Sequence, residues 1–366
     1  MNKNLQCDPI VMTLDAGGTN FVFSAIQNGN ELLNPIQLPS NAHDLDSCLK
    51  GILDGFRQVL QIIGKPADAI SFAFPGPADY KQGIIGDLGN LPAFRGGVAL
   101  GPFLEESFRL PVFINNDGDL FALGEAKFGF LPWINSLMNE TGSKRLFENL
   151  IGLTLGTGFG GGIVLSGKLV RGDTNSAGEV WLLRNGLNPL TFAEENISAR
   201  ALVNSYRQYS GIEDNFLASD IAKIARQIKS GDHKSAQQAF NDFGIALGEA
   251  IANLITMFDA SVVIGGGLSN SWDLFFPPML EKVNGFFEEP DSPKVSRLES
   301  KIFNLEDHSC LESFKSSSDT LIKIPFSDKT IAYDSTKRLG VGVSKLGASR
   351  AVALGAYAFA MKQIIR

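Results

Sequence analysis

Two stretches of this chain carry one pattern, and that repetition constrains the fold more than any other feature. The first, IVMTLDAGGTNFVFSAIQNGN, runs from an apolar strand at 10–14 through the polar turn Asp15-Ala-Gly-Gly-Thr19 into a second strand at 21–26. Asn28-Gly29, a hairpin signal, closes it. The second, LIGLTLGTGFGGGIVLSGKLV, repeats the order: strand 150–155, a glycine turn from Gly156 to Gly162, strand 163–165, then Ser166-Gly167. Solenoid repeats recur every 20–50 residues or so, and these two stand much farther apart. They fit two α/β domains of similar build, each opening with a turn the size of a phosphate group. A chain of 366 residues agrees with two domains. Chance likeness of two glycine-rich hairpins is the alternative.

Between and after these hairpins the elements alternate. Leu45, Leu49, Ile52, Phe56, Val59, Leu60 and Ile63 keep a helical period, with Asp44 placed to cap the start and Gly64 to stop the end. Strand 70–74 runs into Pro75-Gly76-Pro77, and strand 112–114 ends at Asn115-Asn116-Asp117 before a helix at about 120–128. Helical segments follow at 194–209, 216–230 and 233–258, then a strand at 260–264 meeting Gly265-Gly266-Gly267. Residues 290–340 read as short strands and loops. The segment 348–365 is a terminal helix apolar enough to return to the first domain. The expected domains are 1–120 with 350–366, and 121–349.

Composition excludes several classes of function. Hydrophobic residues make up 44% of the chain, which rules out wholesale disorder. With 32 basic against 39 acidic residues and a net charge of −7, nothing draws the chain as a whole to nucleic acid or an anionic membrane. Cys7, Cys48 and Cys310 are far apart and form no CxxC, which argues against a disulfide framework or a structural zinc site. His308 and Cys310 stand close together, but two ligands do not make a zinc centre. MNKNLQCDPI has no apolar core of a signal peptide, and no apolar run is long enough to span a membrane. A cytoplasmic location is expected.

The chemistry then rests on a few positions. Glycine turns let backbone amides cradle a polyphosphate, and Thr19 and Thr157 add hydroxyls. Structural hairpins are the alternative. Gly156-Thr-Gly158-Phe-Gly-Gly161 formally matches the dinucleotide fingerprint, but a strand rather than a helix follows, so that reading is rejected. No P-loop pattern is present. Asp15 at a strand end suits a Mg²⁺ ion held mostly by water and phosphate, or else it caps its own turn. Asp117 is placed to accept the proton of a hydroxyl attacking a γ-phosphate, or else to cap the following helix. Asn116 and Asn90 are loop amides able to fork onto sugar hydroxyls. The triplet Gly265, Gly266 and Gly267 lets a flat base or ribose lie against backbone, or is simply a tight strand-to-helix turn.

Together these segments resemble the ROK family of repressors, open reading frames and sugar kinases, over nearly the whole chain. LDAGGTN resembles that family's first phosphate motif, and LTLGTGFGGGIVLSGKLVRG the second. FAFPGPAD and Gly89-Asn-Leu-Pro92 are similar to its sugar-side loops, and LPVFINNDGDLFALGEAKFG to the segment bearing the catalytic aspartate. SAGE, 176–179, resembles the start of its signature, and VVIGGGLS its adenosine motif. The resemblance implies an α/β fold of two actin-like (ribonuclease H-like) domains, with mixed sheets flanked by helices and a cleft between them. It implies transfer of the γ-phosphate of ATP, with Mg²⁺, to a hexose hydroxyl, O6 of glucose or a relative by default. Asp117 would be the base, and Asn90, Asn116, Glu179 and Glu194 would hold the sugar. Asp15, Gly17, Gly18, Thr19 and Asn20, with Gly156, Thr157 and Gly158, would hold the phosphates, and Gly265–Gly267 the adenosine.

Two departures stand out. Leu182 occupies the position of the family histidine three residues after the SAGE glutamate, and RNGLNPLTFAEENISAR lacks the cysteines of the family's zinc segment. A zinc-free member with an altered sugar pocket is therefore expected. Glu194 is matched to the family's sugar glutamate because Ser198 and Arg200 then fall in register; Glu195 is its neighbour. A homodimer is compatible with the family. A non-catalytic sugar-binding protein is the alternative function. A DNA-binding repressor is disfavoured, because only about nine residues precede the first strand and none form a helix-turn-helix.

Overall fold

The computed structural model describes residues 8–17, 19–89, 91–143, 145–287, 293–316 and 320–365. The chain divides into two compact units. The first holds the described residues up to Gly129, Gly167–Gly178, and those from Leu346 onward; the second holds Phe130–Ser166 and Glu179–Lys345.

In the first unit the core strands are β1 (Val11–Ala16), β2 (Asn20–Gln27), β3 (Ala69–Ala73) and β4 (Val112–Asn115), in the order β2-β1-β3-β4. The glycine turn folds β2 back antiparallel on β1, while β3 and β4 run parallel to β1. Strand alternation sends Met12, Leu14, Phe23 and Phe72 to one face, where they pack with Cys48, Ile52, Phe56 and Val59 of the helix Leu45–Ile63. That helix begins and ends where its sequence signals lie. The Asp44 side chain accepts from Ser47 N at 2.8 Å, and Gly64 takes a left-handed φ of 63° to close the last turn.

The opposite face, with Val11, Ile26 and Ala69, is covered by Leu354, Tyr357 and Ala360 of the C-terminal helix Ala348–Ile364. That helix also crosses the helix Asp117–Phe128 at very close range. A side chain at Gly124 would collide with the carbonyl of Ala351, and one at Gly355 with the carbonyl of Leu120. This contact draws residues 117–129 into the first unit, so the division falls at Gly129 rather than at the 120 read from sequence.

The second unit repeats the plan. Its core strands are β5 (Leu150–Leu155), β6 (Phe159–Leu165), β7 (Ser261–Gly265), β8 (Lys301–Asn304) and β9 (Arg338–Val343), ordered β6-β5-β7-β9-β8. Again the hairpin is antiparallel and the added strands are parallel. Helices Ala199–Ser210, Ala218–Ala225, His233–Phe258 and Trp272–Val283 supply its largest apolar cluster, with Tyr206, Phe243 and Phe275 fully buried. The fold is thus the two-domain α/β, mixed-sheet arrangement expected.

The region 290–340 holds short strands and loops as read, and departs from that reading in one helix. It contributes β8 and the start of β9, both in the main sheet, and His308–Lys315 is a helix capped by Asp307. Helices Leu100–Phe108 and Phe130–Glu140 also appear where no helix was expected.

Candidate active site

Pairing register assembles one edge of the first sheet. Asp15 of β1 lies beside Ala73 of β3, and Ala73 beside Asn115 of β4, so the parallel strands all end on one line. Carboxyl ends of parallel strands are where α/β sheets commonly place ligands. Two residues past Asn115, Asp117 opens its helix.

The capping role goes to Asn116. Its Oδ1 accepts from Gly118 N at 2.8 Å and from Asp119 N at 3.4 Å. Asp117 is therefore the first helical residue and not the N-cap. The commitment of Oδ1 leaves only the NH₂ of Asn116 to meet a hydroxyl.

Asp117 itself presents surface to solvent. Protein packed around it nevertheless withholds solvation, and this pushes its carboxyl above the ordinary carboxylate range. The amides of Gly118 (2.9 Å) and of Asp117 itself oppose the shift, and the negative charge of Asp15 adds to it.

The rest of the first phosphate turn is partly visible. Asp15 is half-buried and Thr19 exposed, and the Gly17 amide donates to the Asn20 carbonyl at 3.1 Å. Gly18 and Asn90, both expected at the site, lie outside the described residues. Asn115 was read only as a strand end. It is 1% exposed, and neither Oδ1 nor Nδ2 of its side chain has a hydrogen-bond partner among the described residues.

In the second unit, Thr154 pairs with Gly265, which brings the ends of β5 and β7 side by side. Gly266 must be glycine: its φ is 86°, and a Cβ would strike the Leu155 carbonyl. Around Gly267, by contrast, there is open space, as there is around Gly156. The Gly156 amide is spent on the Gly158 carbonyl at 3.0 Å, so within this turn the amides of Thr157 and Gly158 are the candidates to meet a phosphate.

The segment after SAGE belongs to this unit from Glu179 onward. The Trp181 indole donates to the Glu179 carboxylate, and its ring meets Phe192 edge-on at 5.5 Å. Leu182 is 56% exposed and offers no polar atom in its side chain. Of the two neighbouring glutamates, Glu195 is tied to Arg200 by two bonds of 3.2 and 2.7 Å, which hold its carboxyl below the usual range. Glu194 turns the other way. Its Oε2 accepts from Phe159 N at 2.9 Å, so tightly that a Cβ on Gly158 would lie 2.7 Å from it. The structure therefore brings Glu194, not Glu195, to the second glycine turn. The sequence showed the two glutamates but not the Trp181 and Asn185 side chains that steady this segment.

Among the described residues, no group of three or more His, Cys, Asp and Glu is arranged to hold a metal ion. Asp15 has no ion-pair partner among them, and its charge reaches Asp117. A hard carboxylate at a strand end, beside amides that suit phosphate, fits a Mg²⁺ that keeps most of its ligands as water and phosphate. Among the described residues no helix is long and apolar enough to cross a membrane.

The family model described as "ROK family" matches residues 11–304. A crystal structure of a glucokinase from Parabacteroides distasonis superposes with a TM-score of 0.87, at 45% identity over 99% of each chain. An N-acetyl-D-glucosamine kinase from Vibrio vulnificus is 30% identical over 74% of this chain and 87% of its own. A glucokinase from Thermotoga maritima is 27% identical over 74% of this chain and 86% of its own.

Proposed function

The chain belongs to the ROK family, and from that premise we propose that it is an ATP-dependent kinase of a hexose, with Asp117 as the general base. The observation that carries this reading is the placement of Asp117. It opens its helix two residues past the line of strand ends that includes Asp15, with Asn116 and not Asp117 as the N-cap, and its surroundings push its carboxyl above the ordinary range.

The hydroxyl of the sugar, O6 on this reading, donates its proton to the Asp117 carboxylate as its oxygen attacks the γ-phosphate. A carboxylate of raised pKa is a better base so long as it stays ionised at working pH. For the other hydroxyls the first unit offers the Asn116 NH₂, and the second unit, taken by itself, offers Glu179 and Glu194. Asn90 belongs to the same proposal. Each unit offers the phosphates a turn of its own: in the first, that of Gly17, Gly18, Thr19 and Asn20; in the second, that of Gly156 with the amides of Thr157 and Gly158 and the Thr157 hydroxyl. Gly265 and Gly266 set the turn that leaves Gly267 open to the adenosine. Mg²⁺, held through water at Asp15, would neutralise phosphate charge. Leu182 cannot supply a hydrogen bond to the sugar, so the neighbouring carboxylates carry that recognition.

The relatives named for glucose and for N-acetylglucosamine define the first acceptors to try. A coupled assay of ADP release with Mg–ATP and a hexose panel tests the proposal. Sugar-dependent turnover is expected with one or a few members. A folded protein that binds a sugar but never turns it over would favour the non-catalytic reading.

A further inference from the structure

One buried side chain in the second unit has no place in the chemistry above. Asn185 is 1% exposed and sits in the loop between the 3-10 turns Val180–Leu182 and Ala193–Glu195. Its Oδ1 accepts from the backbone N–H of Leu187 at 2.9 Å and of Asn188 at 3.1 Å. Both of those groups can only donate, so the amide orientation is fixed, and Nδ2 must point the other way. There one hydrogen goes to Asn196 Oδ1 at 2.5 Å, and the other is shared between the Thr191 hydroxyl at 3.2 Å and the Phe192 carbonyl at 3.3 Å. Phe192 immediately precedes the 3-10 turn that carries Glu194, and Asn196 immediately follows it. One amide thus grips both ends of that turn, and Glu194 in turn takes the N–H of Phe159 in the glycine hairpin.

We infer that Asn185 is a positioning residue for sugar binding. It fixes the turn on which Glu194 sits, and so the direction in which the Glu194 carboxylate meets a sugar hydroxyl. The inference rests on the proposal that Glu194 contacts the sugar. Asn185 touches no substrate. Its effect passes wholly through the Ala193–Glu195 turn, and it belongs to sugar affinity rather than to the chemical step.

The test is a set of steady-state measurements with glucose, and in parallel with N-acetylglucosamine, on Asn185→Asp, Asn196→Ala, Glu194→Gln and their pairwise combinations. Asn185→Asp keeps the acceptor oxygen for Leu187 and Asn188 but loses the donor that grips the turn. Asn196→Ala removes one grip at a half-buried position and leaves Asn185 in place, so it decides the matter if Asn185→Asp does not fold. Loss of a hydrogen bond of ordinary strength should raise the sugar KM roughly tenfold, with kcat and the ATP KM changed less than about twofold. In the background of Glu194→Gln, neither substitution should raise the sugar KM further, because both act through the same carboxylate. An unchanged sugar KM in the single variants, an equal loss in kcat, or effects that multiply with Glu194→Gln would overturn the inference. Glu194→Gln measured alone separates the two claims: if it leaves the sugar KM untouched, the assignment of Glu194 fails, and the role of Asn185 falls with it.

Discussion

Asp117 faces two opposed demands. As the proposed base it must be ionised to take a proton, yet its surroundings favour the neutral acid. If it is the base, activity falls as pH drops through its pKa, and the acid limb of kcat/KM lies above the ordinary Asp value of about 3.9. Asp15→Asn removes one of the causes of the shift and should move that limb to lower pH, which a pH–rate profile reads directly. The linkage has a definite sign. A carboxyl whose pKa is raised on folding contributes stability below its unfolded pKa and loses it as pH rises through the folded value. Neutral Asp117→Asn escapes that loss, so at pH 7 its melting temperature should equal or exceed that of the parent while turnover collapses, a trade expected at active sites. A clear fall in melting temperature would contradict this. The sequence singled out Asp117 but could not separate its two candidate roles. Asn and Asp cap helices about equally well, and the two are adjacent here. Only the backbone shows that Asn116 takes the cap.

At the scale of elements, the helix bearing Asp117 is held by backbone-to-backbone contact with the C-terminal helix. Gly124→Ala pushes a methyl against the carbonyl of Ala351, and overpacking of this kind costs typically 1–3 kcal/mol. Chemical denaturation should show that loss, and Gly355→Ala should show a similar one. Stability unchanged by both would mean the helices do not cross as described. Neither glycine was legible as a packing device, because its partner lies at the far end of the chain. Helix Leu45–Ile63 was legible to its caps, since period, Asp44 and Gly64 are all local signals. Strand β9 was not. Its continuous buried run is interrupted in sequence by Gly340 and Gly342, positions where a side chain would strike Leu305 and Phe130. The glycines needed for packing erased the hydrophobic signal.

At the scale of the whole chain, the two ends of the sequence build one unit. The amide of Asn28 donates to the Tyr357 hydroxyl at 2.9 Å, and Val11 and Ile26 are buried under Leu354 and Ala360. Removal of residues 346–366 should therefore abolish cooperative unfolding of the first unit, visible as loss of a melting transition in calorimetry. An unaltered transition would contradict this role. The duplicated hairpins showed this two-unit plan from sequence, because each is a local pattern whose copy can be recognised at any distance. The site was legible as residue types at strand ends. The direction of Glu194 and the grip of Asn185 were not, because both depend on contacts that only the folded loop brings together.

The central claim is that Asp117 activates a hexose hydroxyl toward ATP. Sugar-dependent ADP release by the parent and by Asp117→Asn, with Mg–ATP binding measured on both, tests it most directly. The account predicts that the substitution lowers kcat by roughly 10²–10⁴-fold while Mg–ATP binding persists. Sugar-dependent release at an undiminished rate would contradict it.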